Sequence, residues 1–259
     1  MEPEVTISLI SVNQRRDLER LLPSLVVAAS RVASEIMLID NRSQDGGCGF
    51  VHRSYPEIQV IENHAVSGYG ENHNLNLQRA RGRYFVIMNS DMTVAPDVFV
   101  VLRDYLDSHP GVGIVVPKIL NPDGMIQGLI KRYPTVWDLF LRRFMPGRLR
   151  RHFRRRMDYY EMRDVGYDHE CDVPFLSGAF MFCRADLLKA LGGFDPGFFL
   201  YFEDTDLCRR VQKTHRTIYY PGTSVVHFWE RSAHKNWKFS WIFMQSAWRY
   251  FNRWGWKLF

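Results

Sequence analysis

Glu203, Asp204 and Asp206 put three carboxylates into four residues. Acids this close repel one another, which raises a carboxyl pKa toward that of a working general base. The run Phe198-Phe199-Leu-Tyr-Phe202 before them can exclude water. A structural reading competes. Acids in the first turn of a helix complement its dipole, and Asp206 is spaced for an i,i+4 pair with Arg210. Asp91 closes Asn89-Ser90-Asp91 after an apolar run. It reads either as a turn or cap aspartate or as a hard oxygen ligand for Mg²⁺ or Mn²⁺ bridging to phosphates. His227 closes Ser224-Val-Val-His227 as a core histidine or as a metal ligand, and an imidazole donor favours Mn²⁺. Ser67-Gly-Tyr-Gly-Glu-Asn72 offers backbone N–H groups near a helix start, which suits an anion.

Several chemistries are excluded. Gly68-Tyr-Gly70-Glu-Asn-His73 lacks the third glycine of the dinucleotide fingerprint and follows the third strand, which rules out a nicotinamide or flavin site there. There is no phosphate-binding Gly-x-x-x-x-Gly-Lys-Ser/Thr loop and no Gly-x-Ser-x-Gly nucleophile elbow. Cys48, Cys171, Cys183 and Cys208 form no Cys-x-x-Cys pair, so they read as free thiols.

The elements that must position these groups follow from hydrophobic period. Val5–Val12, Glu35–Ile39, Ile58–Ile61, Tyr84–Met88 and Val112–Val116 read as strands. Between them lie helices over Arg15–Ala29, with a kink or restart expected at Pro23, over Gly68 to about Arg81, and over Val98–Leu106. This alternation predicts an α/β fold, a mostly parallel sheet covered by helices on both faces. Ligands bind outside the carboxyl ends of such strands, where Asp40 and Asp91 fall. In the second half, Asn121-Pro-Asp-Gly124 reads as a hairpin turn and residues 134–170 as a loop or short helices. Val173–Cys183 reads as a strand and Ala185–Leu191 as a helix stopped by Gly192-Gly193. A helix is expected from Glu203 to Lys213. Thr217–Tyr220 and Ser224–His227 read as two strands, and Asn236–Arg253 as a final aromatic helix.

The chain of 259 residues carries a formal charge of +6. Arg142 to Arg156 holds eight arginines (142, 143, 148, 150, 151, 154, 155, 156) and no acid, so the remainder is 6 − 8 = −2. The basicity is local and argues for one anionic contact surface: a phospholipid face, a pyrophosphate-linked acceptor or nucleic acid. On the last helix Trp237, Trp241, Met244, Trp248 and Phe251 share a stripe that could dock on the core, form a homodimer face or lie in a membrane interface. No apolar run approaches the roughly 20 residues that span a bilayer, and the acidic start is unlike a signal peptide, so a cytoplasmic or peripheral membrane location is expected.

Eight short segments in order resemble family-2 glycosyltransferases of the GT-A fold, in the bacterial rhamnosyltransferase-like branch. They are Ile10-Ser-Val-Asn13, Leu38-Ile-Asp-Asn-Arg-Ser43, Glu62-Asn63 through Ser67-Gly-Tyr-Gly-Glu-Asn72, Met88-Asn-Ser-Asp91, Phe175-Leu-Ser-Gly-Ala179, Gly192-Gly-Phe-Asp195, Phe199-Leu-Tyr-Phe-Glu-Asp-Thr-Asp-Leu-Cys-Arg209 and Val225-Val-His227. The resemblance covers about residues 5–232. It implies a nucleotide-sugar-binding half over residues 1–120 and an acceptor-binding and catalytic half of the same domain over 121–232; the aromatic C-terminal helix, over 233–259, lies beyond it. It implies that Asn13, Asp40, Asn41, Ser43, Asn63, Gly68, Gly70, Asn72, Asn89 and Asp91 bind the nucleotide-sugar, with Asp40 on the nucleobase. Asp91 and His227 would hold Mn²⁺ or Mg²⁺, and Asp204 would be the base with Glu203 beside it. Asn89 stands where the family usually has an aspartate and can offer only a neutral oxygen. The implied reaction is inverting transfer from a dTDP- or UDP-sugar, L-rhamnose first, to a glycan or lipid-linked acceptor.

Two other readings compete. A sugar nucleotidyltransferase wants a glycine-rich loop after its first strand, and Val12-Asn-Gln-Arg-Arg16 has no glycine. A non-enzymatic membrane or nucleic-acid module leaves the acids unexplained.

Overall fold

The computed structural model describes residues 2–63, 65–143, 145–146, 151–229 and 237–259. Arg148, Arg150, Asn236 and the expected boundary at 232/233 lie outside the described residues. Strand β1 (Val5–Ser11) is buried along its whole length. It pairs in parallel with β2 (Ser34–Asp40) and β4 (Tyr84–Met88), and β2 pairs in parallel with β3 (Gln59–Glu62). Beyond β4 the order continues β10 (Phe180–Arg184), β6 (Val112–Leu120), β11 (Arg216–His227), β5 (Met92–Val94), with β8 (Cys171–Asp172) also on β11. β10 runs antiparallel to both neighbours, and β5 and β8 run antiparallel to β11. The other strands share one direction, as the sequence alternation predicts. A separate ribbon joins β7 (Ile130–Lys131) to β9 (Phe175–Leu176).

Helices cover both faces because strand side chains alternate. Val86 and Met88 point to one side, where α1 (Arg15–Ala29) packs Leu18, Leu21, Leu22 and Leu25 together with Val98, Phe99 and Leu102 of α4 (Val98–Ser108). Phe85 and Ile87 point to the other, against Leu77 of α3 (Tyr69–Arg79), Leu188 of α7 (Ala185–Ala190) and Leu207 and Val211 of α8 (Glu203–Val211). Burying each such leucine is worth about 1.5–3 kcal/mol. Pro23 sits inside α1 without ending it.

Several elements depart from the sequence reading. A helix α2 (Gly47–Ser54) follows the Asp40 turn, and β5 follows Asp91. The apolar run 173–183 is broken at Ser177-Gly178 between β9 and β10. The two expected strands around Pro221-Gly222 are one, whose register against β6 shifts between Tyr219 and Ser224. Asn121–Gly124 closes a turn, as expected, with the Asn121 N–H donated to Met125 O at 2.7 Å. The arginine-rich region holds α5 (Val136–Arg143), a 3₁₀ turn (Arg151–Phe153) and α6 (Arg154–Tyr160). The last helix is α9 (Trp237–Trp254). On its expected stripe Phe251 is buried on the core, whereas Trp237, Trp241, Met244 and Trp248 are exposed.

Candidate active site

The chain leaves β1 outward through β2 and β3 and returns to β4 on the other side, so the strand order reverses between β1 and β4. Asp40 closes β2 and is buried there. Its Oδ2 accepts the Ser43 N–H at 3.1 Å, but Oδ1 is buried with no partner. Such an orphan acceptor costs about 1–3 kcal/mol and is the atom a ligand N–H would satisfy. Asn13 is held left-handed at φ 54°, its N–H donated to Ser43 Oγ at 2.9 Å and its Oδ1 accepting the Gln44 N–H at 2.7 Å. Asn13, Asp40 and Ser43 therefore form one interlocked rim.

Asn41, Asn63 and Asn72 are committed to the loop before α3. Asn41 Nδ2 donates to Ser67 O at 3.0 Å while its Oδ1 accepts the Ser67 N–H at 3.1 Å. Asn63 Nδ2 donates to Asn72 Oδ1 at 3.0 Å, and Asn72 Nδ2 donates to Gly68 O at 2.9 Å. Part of the anion cradle expected at residues 67–72 is engaged within the protein: the Gly68 N–H goes to Glu71 Oε2 at 3.3 Å and the Tyr69 N–H to Phe199 O at 2.9 Å. The two glycines also allow close packing. A Cβ on Gly68 would lie 2.6 Å from Phe199 O, and one on Gly70 would lie 2.5 Å from Phe194 Cβ.

Asp91 and His227 meet at the ends of neighbouring elements, with His227 Nε2 3.2 Å from Asp91 Oδ1. Gln127 fixes the ring. Its Nε2 donates to His227 O at 2.8 Å, which leaves its Oε1 to accept the Nδ1–H at 2.9 Å. In the neutral ring Nε2 then carries a lone pair aimed at a carboxylate oxygen, and neither atom has a hydrogen-bond partner. Two facing acceptors are what a divalent cation would join: adjacent ligands with arms of about 2.1 Å subtend about 3 Å. Among the described residues no cluster of three or more His, Cys, Asp or Glu forms a metal site. Asp91 and His227 are the pair of facing acceptors found here.

The acidic run opens α8. Tyr201 and Phe202, immediately before it, both take left-handed conformations at φ 71° and 66°. Non-glycine residues there cost about 1–3 kcal/mol each and are held by their surroundings. Phe202 packs on Phe243 and Tyr250 of α9. Asp204 Oδ2 accepts the Gly178 N–H at 3.1 Å, and Oδ1 accepts the Thr205 N–H at 2.7 Å. Glu203 is buried, and its Oε2 has no partner. Burial and then the neighbouring Asp204 push the Glu203 carboxyl well above its ordinary range. Burial also raises Asp204, but its backbone donors and Lys131 act in the opposite direction. Asp204 is still raised overall, but less than Glu203. Asp206 is structural, as expected: its Oδ2 accepts from Arg210 Nε at 2.7 Å and its Oδ1 from Trp254 Nε1 at 2.9 Å.

Four further residues belong to the site. Tyr69 Oη lies 2.6 Å from Gly178 O and 3.0 Å from Asn89 Oδ1. One hydroxyl hydrogen serves one acceptor at a time, so the Tyr69 phenol is shared between the Gly178 carbonyl and the Asn89 amide oxygen. Gly178 thus touches both Tyr69 and Asp204, and Gln127 orients His227. Lys131, only 3% exposed on β7, has no hydrogen-bond partner among the described residues and lies 5.0 Å from the Phe175 ring. Burial and then Arg142 bring its ammonium down to about 7. The motif containing Gly178 flagged that residue without a role, whereas nothing in the local sequence marks Gln127 or Lys131.

The structure thus assembles two groups, Asp91 with His227 and Glu203 with Asp204, joined through Asn89, Tyr69 and Gly178. Known proteins resemble this chain in sequence and in fold. Over 223 residues the chain is 28% identical to the N-acetylglucosaminyl-diphospho-decaprenol L-rhamnosyltransferase of Mycobacterium tuberculosis, covering 81% of this chain and 71% of that protein. It is 22% identical over 172 residues to the rhamnosyltransferase WbbL of Escherichia coli K12, covering 63% and 61%. The fold matches the mannosyltransferase PcManGT of Pyrobaculum calidifontis, solved with GDP-Man and Mn²⁺, at a TM-score of 0.65 and 20% identity; the match covers 92% of this chain and spans 60% of that one. The model of the family described as glycosyltransferase like family 2 matches residues 3–249, and the chain belongs to that family.

Proposed function

We propose that the chain is an inverting, divalent-cation-dependent glycosyltransferase. It moves a sugar, L-rhamnose first, from a dTDP- or UDP-linked donor to a hydroxyl of a lipid-linked or glycan acceptor. The contact path Asn89–Tyr69–Gly178–Asp204 carries this reading. It ties the acid of the α8 run to the strand end that bears Asp91. The curated relative named for L-rhamnosyl transfer to a lipid diphosphate supports the sugar and the acceptor class.

Asp204 takes the proton of the acceptor hydroxyl. The acceptor oxygen forms its bond to the anomeric carbon as the bond to the diphosphate oxygen breaks, and the nucleoside diphosphate leaves with that electron pair. Attack from the face opposite the leaving group inverts the anomeric configuration. Glu203 keeps its proton and so leaves the single negative charge on Asp204. Asp40 Oδ1 accepts an N–H of the base, with Asn13 and Ser43 shaping that rim. Asp91 and His227 would hold the cation, which would supply positive charge to stabilise the departing diphosphate.

Thermal stabilisation by a panel of nucleotide-sugars in Mn²⁺ tests the donor, because ligand at 100 times its Kd adds about 2.7 kcal/mol. NMR of the transferred product tests the stereochemistry. The expected results are selective stabilisation by a dTDP- or UDP-sugar and an inverted product. Indifference to every nucleotide-sugar, or a retained configuration, would refute the reading. Pyrophosphate release from a nucleoside triphosphate would favour the nucleotidyltransferase instead.

A further inference from the structure

Helix α9 has a covered face and an uncovered one. Ser246, Ala247, Tyr250 and Phe251 pack on the Phe198–Phe202 loop. On the adjoining side, next to Phe251, Trp237 is 74% exposed, Trp241 60%, Met244 50% and Trp248 62%. At 3.6 residues per turn these four fall within about 60° of one another, along about 17 Å of helix. The tail continues the apolar surface with exposed Trp256, Leu258 and Phe259. It is pinned to α5: Val136 N–H donates to Lys257 O at 2.9 Å, Trp137 N–H to Leu258 O at 3.1 Å, and Trp137 lies 6.1 Å from the Phe259 ring. Beside α5, Phe153 meets Trp137 edge-on at 5.7 Å, and the turn around it exposes Arg151, Arg154 and Arg155. An aromatic band is therefore bordered by cations. Monomeric soluble proteins rarely expose so large an apolar surface unless it contacts something.

We propose that α9, the tail after it and the Arg151–Arg155 turn together form a surface that docks on a bilayer containing anionic lipid. Tryptophan sits at the level of lipid headgroups, and a helix with an aromatic face and basic flanks lies in the interface plane. Among the described residues no helix is long and apolar enough to cross a membrane. Charge argues against a second copy of the chain as the occupant. Asp195 pairs Arg249 and Arg253, but residues 237–259 contain no acid, and a two-fold contact through this surface would set Arg151, Arg154 and Arg155 against the same cations of the second copy. Anionic headgroups complement them. The proposal stands apart from the transfer reaction and adds a placement to it. The docking helix is seated on Phe202, the residue before Glu203, so a bound membrane lies next to the segment that delivers the base.

The test is sedimentation of the full chain with vesicles of phosphatidylglycerol and phosphatidylcholine, against vesicles of phosphatidylcholine alone, without any sugar donor. Wild type should bind the anionic vesicles, with a tryptophan blue shift and weakening as salt rises. Trp241→Ser with Trp248→Ser should lower partitioning at least tenfold. Arg151→Gln with Arg155→Gln should lower it about fivefold per arginine on anionic vesicles and barely on neutral ones. These side chains are exposed, so melting and transfer to a water-soluble acceptor should be unchanged in both variants. Absence of wild-type binding, or full binding by the tryptophan variant, overturns the proposal. A wild-type dimer in sedimentation equilibrium that Trp241→Ser with Trp248→Ser converts to monomer also overturns it, because a second copy then covers the stripe. Binding is read without the reaction, so failure of the transfer reading leaves this result intact.

Discussion

Replacing Gln127 by leucine tests how the cation pair is held. Gln127 is buried and spends both amide atoms on His227, accepting the Nδ1–H at 2.9 Å and donating to the main-chain carbonyl at 2.8 Å. Leucine keeps the volume and removes both bonds. Two groups of His227 are then unsatisfied, each costing about 1–3 kcal/mol. The ring is also free to carry its proton on Nε2, which removes the lone pair now aimed at Asp91. Loss of such an orienting partner typically weakens metal affinity about 10–100-fold. The assay is initial rate against Mn²⁺ concentration with donor and acceptor saturating. Half-saturation should rise by that factor, and the rate at saturating Mn²⁺ should recover to within a fewfold of wild type. Gln127→Glu still accepts the Nδ1–H but loses the donor to the His227 carbonyl, so its Mn²⁺ demand should rise less than that of Gln127→Leu. A folded Gln127→Leu variant with unchanged half-saturation would refute the reasoning.

Three further outcomes are expected. Tyr69→Phe removes the one atom touching both Gly178 and Asn89; it should cost about 1–3 kcal/mol in denaturation and lower kcat about 10–100-fold through a displaced base, and an unchanged kcat would count against that path. Lys131→Met removes a charge that holds Asp204 down below about pH 7, so the acidic limb of kcat/KM should move to higher pH; no movement, or movement to lower pH, contradicts the assignment. Glu203 has its carboxyl raised on folding, so its stabilising contribution is full below its ordinary value of 4.5 and is lost as pH rises through the folded value. Glu203→Gln should therefore flatten the fall in stability with pH in chemical denaturation, and an unaltered slope would show that Glu203 does not hold its proton.

What the sequence made legible follows from local period. Each strand from β1 to β4 is an apolar run bounded by turn residues, and Asp40 and Asp91 stand where such runs stop. α2 and β5 escaped because eight- and three-residue elements carry little periodic signal. The placement of β10 between β4 and β6 is a long-range pairing that no local pattern encodes. Residues 173–183 read as continuous because they are mostly apolar, yet the break at Ser177-Gly178 frees the N–H that Asp204 accepts. Pro221-Gly222 signalled a strand end, but the sheet absorbs it as a register shift within β11. Gln127 and Lys131 acquire meaning only from neighbours far along the chain. Gln127 lies 100 residues from His227, so its role could be read only from the folded structure.

The central claim is that Asp204 is the base, and Asp204→Asn under single-turnover conditions tests it most directly. Asparagine keeps the shape and an acceptor for the Gly178 N–H but cannot take the acceptor proton. With donor and acceptor saturating in Mn²⁺, transfer should slow by about 10²–10⁴-fold, while donor affinity from thermal stabilisation stays within about twofold of wild type. A variant that transfers sugar at the wild-type rate would contradict the account.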